Sequence, residues 1–151
     1  MNTSFEICIS NRKLLLNLLN SFSTEQLNNI PAGFSNNLIW NIGHVVVVQQ
    51  LLIYKLSGLP MMVSDVLVEK YKKGSLPSNN VTEEEINEIK SLLFVTIDQT
   101  VKDVEANLFK NYNEFTSMSG FTMRNYKDAI EFNNFHEGIH TGIMLQIKKH
   151  I

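Results

Sequence analysis

The sequence is poor in residues on which several protein classes depend. It has one cysteine, Cys8, so it can form neither an internal disulfide nor a cysteine zinc cluster. Its only arginines are Arg12 and Arg124, and its formal net charge is −2. Nucleic-acid binders are typically rich in basic residues. We therefore expect no nucleic-acid partner.

Long hydrophobic runs are also missing. The most apolar stretch, residues 45–56, is interrupted by Gln49, Gln50 and Lys55. It is shorter than the roughly 20 apolar residues that a helix needs to span a bilayer. The N-terminal residues lack the basic region and apolar run of a signal peptide. We therefore expect no membrane partner and a cytoplasmic, reducing location.

The length and composition are those of an ordinary globular chain. The 151 residues are 44% hydrophobic and 19% charged, which is about the size of one domain. No repeat or low-complexity segment divides them, so we expect a single domain over residues 1–151. Only three alanines but 18 asparagines are present, which lowers helix propensity. The helix predictions therefore depend on hydrophobic periodicity.

Hydrophobic residues recur at helical spacing in four segments. These segments are residues 5–22, 37–58, 82–108 and 125–147. Polar residues suited to helix capping precede the second and third segments. Another such pair follows the first segment and predicts a short extra turn there. The capping candidates are Ser23 with Gln26, Asn36 or Asn37, and Thr82 with Glu85. The intervening residues 60–81 and 110–124 are predicted as long connections. This pattern predicts an all-α four-helix bundle in which no strand pairing is needed.

Three of the four histidines lie on predicted inward helix faces. His136 and His140 are four residues apart, so their side chains lie about 40° apart on one face of the fourth helix. His44 lies between Trp40 and Val47 on the corresponding face of the second helix. One inward histidine is more often a hydrogen-bonded core residue, but three buried imidazoles without a metal would each need a polar partner. We therefore predict that His44, His136 and His140 bind one divalent metal ion.

Residues near the three histidines are candidates for supporting roles. Glu137 is the candidate catalytic residue as a general base, but it could instead orient a histidine or lie in solvent. Asn133, one turn before His136, is a second candidate for orienting a ligand. Asn41 and Trp40 flank His44 and are expected to line the pocket. The remaining histidine, His150, is expected to be exposed near the C-terminus.

Two other metal-site classes match the sequence poorly. The letters HEGIH fit the zinc-protease signature H-E-x-x-H, but only 11 residues follow His140 to supply a third ligand. The longer protease signature requires glycine and histidine where this chain has Ile143 and Gln146. A di-iron bundle requires a second Glu-x-x-His pair, and the residue three before His44 is Asn41. Both readings are therefore disfavoured.

Two separate segments resemble the DinB/YfiT-like metal-binding four-helix bundles. NNLIWNIGHVVVVQQLL resembles the W-x-x-G-H start of that family's second helix, and FHEGIHTGIMLQI resembles its fourth-helix H-x-x-x-H-x-G segment. The resemblance covers nearly the whole chain and includes GSLP before the third helix. It implies an up-down-down-up bundle, often a homodimer, with a zinc or nickel ion held by His44, His136 and His140.

The resemblance also implies a class of chemistry. Characterised members include transferases and isomerases that use small thiols such as bacillithiol, mycothiol or glutathione. It therefore implies a metal-dependent enzyme, a thiol-dependent S-transferase with a small-molecule substrate. Three protein ligands leave an open metal position where a thiol or water loses its proton. A non-catalytic metal-binding bundle (a carrier, sensor or interaction protein) and a metal-dependent hydrolase remain alternatives.

Overall fold

The computed structural model describes residues 3–77 and 80–151. These residues form six α-helices and one short hairpin, which confirms the all-α class predicted from the sequence. The helices are α1 (Thr3–Ser21), α2 (Thr24–Asn28), α3 (Leu38–Ile53), α4 (Asp65–Tyr71), α5 (Glu83–Glu105) and α6 (Tyr126–Ile147). The hairpin pairs β1 (Phe115–Thr116) with β2 (Thr122–Met123). In the described part of the chain no helix is long and apolar enough to cross a membrane.

Side-chain caps start the helices close to where the sequence predicts them. Asn37 accepts a hydrogen bond from the Trp40 backbone at the start of α3, and Thr82 accepts one from the Glu85 backbone at the start of α5. The capping box of Ser23 and Gln26 at α2 has both of its hydrogen bonds. These caps satisfy backbone N–H groups that have no partner within their own helix.

The two predicted connections contain regular structure that the sequence analysis did not predict. Residues 60–81 include α4, which begins after a Ser64 cap and has only two turns, too few for periodicity to reveal. Residues 110–124 include the β1–β2 hairpin, so the expectation that no strands pair is wrong there. The third predicted helix also ends early, at Glu105, because Asn107 adopts a left-handed conformation with φ of 55°.

The four long helices form a closed ring of contacts, and α3 lies in the interior. Helix α3 packs against α5 and α6, and α1 packs against the same two helices. Every residue of α3 except Val48 and Leu51 is buried, as expected for a helix that is apolar nearly all round. Helix α6 buries only a stripe. His44 on α3 therefore faces the histidines of α6 from the protein's interior.

Candidate metal centre

The structure brings His44, His136 and His140 together between α3 and α6. One nitrogen from each ring lies within 4.8 Å of the others. The Nε2 atoms of His44 and His136 are 3.2 Å apart. His136 and His140 lie four residues apart on one face of α6. The packing of α3 against α6 brings His44 to them.

His44 is oriented by a backbone carbonyl at the end of α4. Its Nδ1–H donates to the carbonyl oxygen of Tyr71 at 2.6 Å, which leaves the Nε2 lone pair directed at the other histidines. Its ring also stacks on Trp40, with 4.7 Å between ring centroids and 14° between planes. Trp40 in turn donates its indole N–H to Ser75. The ring plane and the tautomer of His44 are thus set by neighbouring groups.

The Tyr71 carbonyl is held in place by close packing of α4 on α3. Gly43 lies under the Tyr71 ring, and a Cβ at this position would be 2.5 Å from the nearest ring carbon. The Tyr71 hydroxyl donates to Glu85 at the start of α5. Ser75 donates to the neighbouring carbonyl oxygens of Lys70 and Lys72. Tyr71 was not predicted as part of the site, although the glycine before His44 is a signal that another chain segment approaches closely.

His140 is oriented by a side chain of α3. The Asn41 amide nitrogen donates to the Asn36 side chain and the Asn37 carbonyl, so its oxygen faces the site. This oxygen accepts a hydrogen bond from His140 Nδ1–H at 2.8 Å. The Nε2 lone pair of His140 is therefore available for a ligand, as with His44. The expectation that Asn41 and Trp40 border the site is confirmed.

Burial keeps the histidines neutral in the absence of a metal ion. Desolvation, with repulsion from His44 and Arg12, lowers the pKa of His136 to about 4. Desolvation, with repulsion from the other two histidines, lowers the pKa of His140 to about 3. The pKa of His44 is also lowered by burial. Neutral imidazole is the form that binds metal ions, so protons compete little for these nitrogens at neutral pH.

The spacing of the three imidazoles fits a divalent metal ion. Zinc–nitrogen distances of about 2.0–2.1 Å at tetrahedral angles place two ligand nitrogens about 3.3 Å apart, close to the 3.2 Å between the Nε2 atoms of His44 and His136. Without an ion, the same distance accommodates a hydrogen bond from His136 Nε2–H to His44 Nε2, because no other group fixes the tautomer of His136. His136 Nδ1 is buried without a hydrogen-bond partner among the described residues. The three ring nitrogens are thus compatible with a divalent metal site.

Glu137 lies in a buried ion pair rather than in solvent. Its side chain is 1% exposed, which corrects the expectation of a solvated position. The Arg12 guanidinium donates to both of its oxygens from Nε at 3.0 Å and to Oε1 from Nη2 at 2.7 Å. Asn11 and Asn133 donate their amide N–H groups to the same carboxylate. Asn133, expected beside a histidine, therefore supports Glu137 instead.

Two residues outside the cluster lie in opposite environments, and His150 is exposed as the sequence predicts. Cys8 is buried, and burial together with the charge of Glu137 raises the pKa of its thiol to about 12. Cys8 is therefore a core residue and not an activated nucleophile. His150 is exposed and contacts the Phe34 ring at the C-terminal end of the protein.

Comparisons with known proteins place these features in a family context. A family model described as the DinB superfamily matches residues 9–144, which include all three clustered histidines. No curated protein matches the chain.

Proposed function

Because this chain belongs to the DinB superfamily, we propose that it is a metal-dependent enzyme with a zinc or nickel ion held by His44, His136 and His140. The observation that carries the proposal is the orientation of the rings: both His44 and His140 use Nδ1 for a hydrogen bond to the protein and turn Nε2 inward. Such outer hydrogen bonds are typical of metal-binding histidines. The proposal includes the four-helix DinB bundle built from α1, α3, α5 and α6.

The ligand count favours catalysis over a purely structural ion. Structural zinc sites are closed by four protein ligands, whereas catalytic sites keep a position for substrate or water. The cluster of described residues supplies three nitrogens. A metal ion bound there would act as a Lewis acid that lowers the pKa of a thiol or water molecule.

We favour thiol-dependent S-transfer as the reaction class. In such a reaction the sulfur of a small thiol attacks an electrophilic carbon, an S–C bond forms, and the leaving group departs with its electron pair. The protein's own thiol is unsuited to this step, since Cys8 is buried with a pKa of about 12. The nucleophile would therefore be a diffusible thiol, and a cytoplasmic location, where thiols stay reduced, belongs to the proposal.

Two roles for Glu137 lead to different experiments. As a general base it would need a free carboxylate lone pair directed at the reacting group. The contacts with Arg12, Asn11 and Asn133 occupy both oxygens, which favours a role in fixing α6 between the two histidines that it carries. We therefore treat Glu137 as a positioning residue, with the general-base role as the alternative outcome.

A panel assay tests the proposed function. Zinc-loaded and nickel-loaded protein are incubated with glutathione, cysteine or no thiol, together with a panel of alkyl halides, epoxides and esters. Thiol loss that requires the metal ion supports S-transfer, and the metal-free protein and His44→Ala serve as controls. Metal-dependent ester loss without thiol would indicate a hydrolase instead. Metal binding without any turnover would indicate a carrier, sensor or interaction protein.

A further inference from the structure

The histidine pair on α6 lies at a border between buried and exposed side chains. On one side of the pair, Asn133, Glu137 and Met144 are all at most 2% exposed. On the other side, Phe135 and Ile139 directly precede the two histidines in sequence and are 55% and 46% exposed. Consecutive residues lie about 100° apart around a helix. Phe135 and Ile139 therefore form a second stripe that runs alongside His136 and His140. Phe135 and Ile139 are thus exposed apolar side chains of α6 beside the two histidines.

Aromatic rings continue this exposed stripe toward the hairpin. Phe121, just before β2, stacks on Phe132 of α6 with 6.0 Å between centroids and 5° between planes. Phe132 also contacts Phe135, with 5.7 Å between centroids. We call these three phenylalanines together with Ile139 the apolar flank. The residue Phe132 is one turn before His136, so the flank begins next to the metal ligands.

The exposed area of the apolar flank is smaller than the apolar part of a standard protein interface. A half-exposed phenylalanine leaves about 100 Å² of its surface in water, so Phe121, Phe135 and Ile139 together offer about 300 Å². A stable interface buries about 800 Å² on each partner, of which a little over half, roughly 450 Å², is apolar. A second copy seated on the flank would also cover exposed surface next to the histidines, and a catalytic site needs an open position for its substrate. The area and position fit part of a small molecule.

We propose that the apolar flank binds an aromatic or branched apolar group of the substrate whose reacting atom lies at the metal ion. This inference rests on the proposed function and specifies its substrate class: an electrophile with a hydrophobic group beside its reacting carbon. Stacked rings give such a group a flat apolar wall, and contact with an aromatic face adds to the gain from removing apolar surface from water. Small polar electrophiles would gain nothing from the flank.

Two hydroxamic acids test the inference, because both bind zinc through the same atoms. Acetohydroxamic acid carries a methyl group, and benzohydroxamic acid carries a phenyl ring. Calorimetric titration of the zinc-loaded protein should show that benzohydroxamic acid binds about 10- to 100-fold more tightly. In Phe135→Gln and Ile139→Gln this preference should fall to about threefold or less, while the affinity for acetohydroxamic acid and the zinc content stay unchanged.

Ile7→Gln is the matched control. Ile7 is also an exposed isoleucine on a long helix, 54% exposed on α1, and it should keep the full preference for the phenyl ring. Equal affinities of the two hydroxamic acids for the wild type, or an unchanged preference in both flank variants, would overturn the inference. So would a dimer that dissociates in the flank variants but not in Ile7→Gln, since a second copy would then cover the flank.

A metal-independent measurement separates this inference from the proposed function. Failure of the wild type to bind zinc would refute the proposed metal site without addressing the flank. The metal-free protein is therefore also titrated with 8-anilinonaphthalene-1-sulfonate, whose fluorescence rises on apolar surfaces. We expect a rise that falls severalfold in Phe135→Gln and Ile139→Gln but not in Ile7→Gln. Equal fluorescence in all four proteins would contradict an apolar binding surface at this position.

Discussion

Glu137 provides a test at the scale of one residue, because its carboxylate compensates the buried Arg12 guanidinium. Both side chains are at most 1% exposed. Glu137→Gln keeps the shape but leaves the Arg12 charge unpaired, so we expect the free energy of unfolding to fall by about 3 kcal/mol in urea titrations. Asp98→Asn, at an exposed position of α5, should change it by less than about 0.5 kcal/mol.

The positioning role of Glu137 also predicts a change in metal affinity. If the ion pair fixes the rotation of α6, zinc should bind about 10- to 100-fold more weakly to Glu137→Gln than to the wild type. A general base would give a different result. Turnover would then fall by about 10²–10⁴-fold while zinc affinity stays at the wild-type value, and that outcome would refute the positioning role.

The lowered histidine pKa values predict how the stability of the metal-free protein depends on pH. Burial holds the pKa of His136 at about 4 and that of His140 at about 3, against about 6.5 in the unfolded chain. As pH falls below about 6.5, the unfolded chain takes up protons that the folded protein does not. Stability should therefore be fully present above pH 6.5 and be lost progressively toward pH 4.

Urea unfolding of the metal-free protein at pH 7.5 and pH 5.0 measures this dependence. His140→Gln removes one of the responsible groups, so its stability should fall less between the two pH values than that of the wild type. An equal fall in both proteins would mean that other groups cause the pH dependence.

At the scale of helices and connections, Gly43 is a point of close approach between α3 and α4. A Cβ at Gly43 would lie 2.5 Å from the Tyr71 ring, so Gly43→Ala must displace Tyr71 and with it the carbonyl that orients His44. We expect a loss of about 1–3 kcal/mol in stability and roughly 10- to 100-fold in zinc affinity. Thermal unfolding and zinc titration measure the two effects.

Gly142→Ala is the control for Gly43→Ala. A Cβ at Gly142 on α6 would meet no atom within 4 Å, and alanine favours a helix over glycine. We expect Gly142→Ala to leave zinc affinity unchanged and to stabilise the protein by about 0.5–1 kcal/mol. If Gly43→Ala bound zinc as tightly as Gly142→Ala, the Tyr71 carbonyl would not be needed to position His44.

The elements that the sequence predicts well are those with strong periodicity or a clear cap. Helices α1, α3 and α6 extend over enough turns for their apolar stripes to be recognised, and Asn37 caps α3 as predicted. Helix α4 is too short for periodicity to distinguish it from a loop. Its Tyr71 carbonyl could not be predicted as a partner of His44, because a backbone carbonyl has no sequence signature.

The buried ion pair had a sequence signal that was not used. Cys8, Arg12, Leu15 and Leu19 recur at helical spacing, so the sequence places Arg12 on the buried stripe of α1. Glu137 likewise lies on the stripe of α6 that is buried. Opposite charges on two buried stripes indicate an ion pair. Which stripes face each other depends on the tertiary packing of α1 against α6.

For the whole molecule, the extensive apolar core predicts a fold that persists without metal. The two hydrophobic clusters extend through all four long helices, so the metal-free protein should stay helical by circular dichroism. Zinc binds only the folded state, and free zinc at 100 times its dissociation constant should add about 2.7 kcal/mol to stability. A chain that unfolds when zinc is removed would contradict this expectation.

The assembly state remains a prediction for the whole molecule. We propose a homodimer, since exposed apolar residues such as Val95 lie on α5, away from the apolar flank. Light scattering across micromolar concentrations should give twice the 17.3 kDa mass of one chain. The mass of a single chain at every concentration would show that the protein is monomeric.

The zinc content of histidine variants tests the central claim most directly. After zinc loading and removal of free metal, mass spectrometry should find about one ion per chain in the wild type and in His150→Ala. His44→Ala, His136→Ala and His140→Ala should each stay folded and lose most of the ion. His44→Ala that retains zinc as fully as the wild type would contradict the three-histidine site and leave only the α6 pair as ligands.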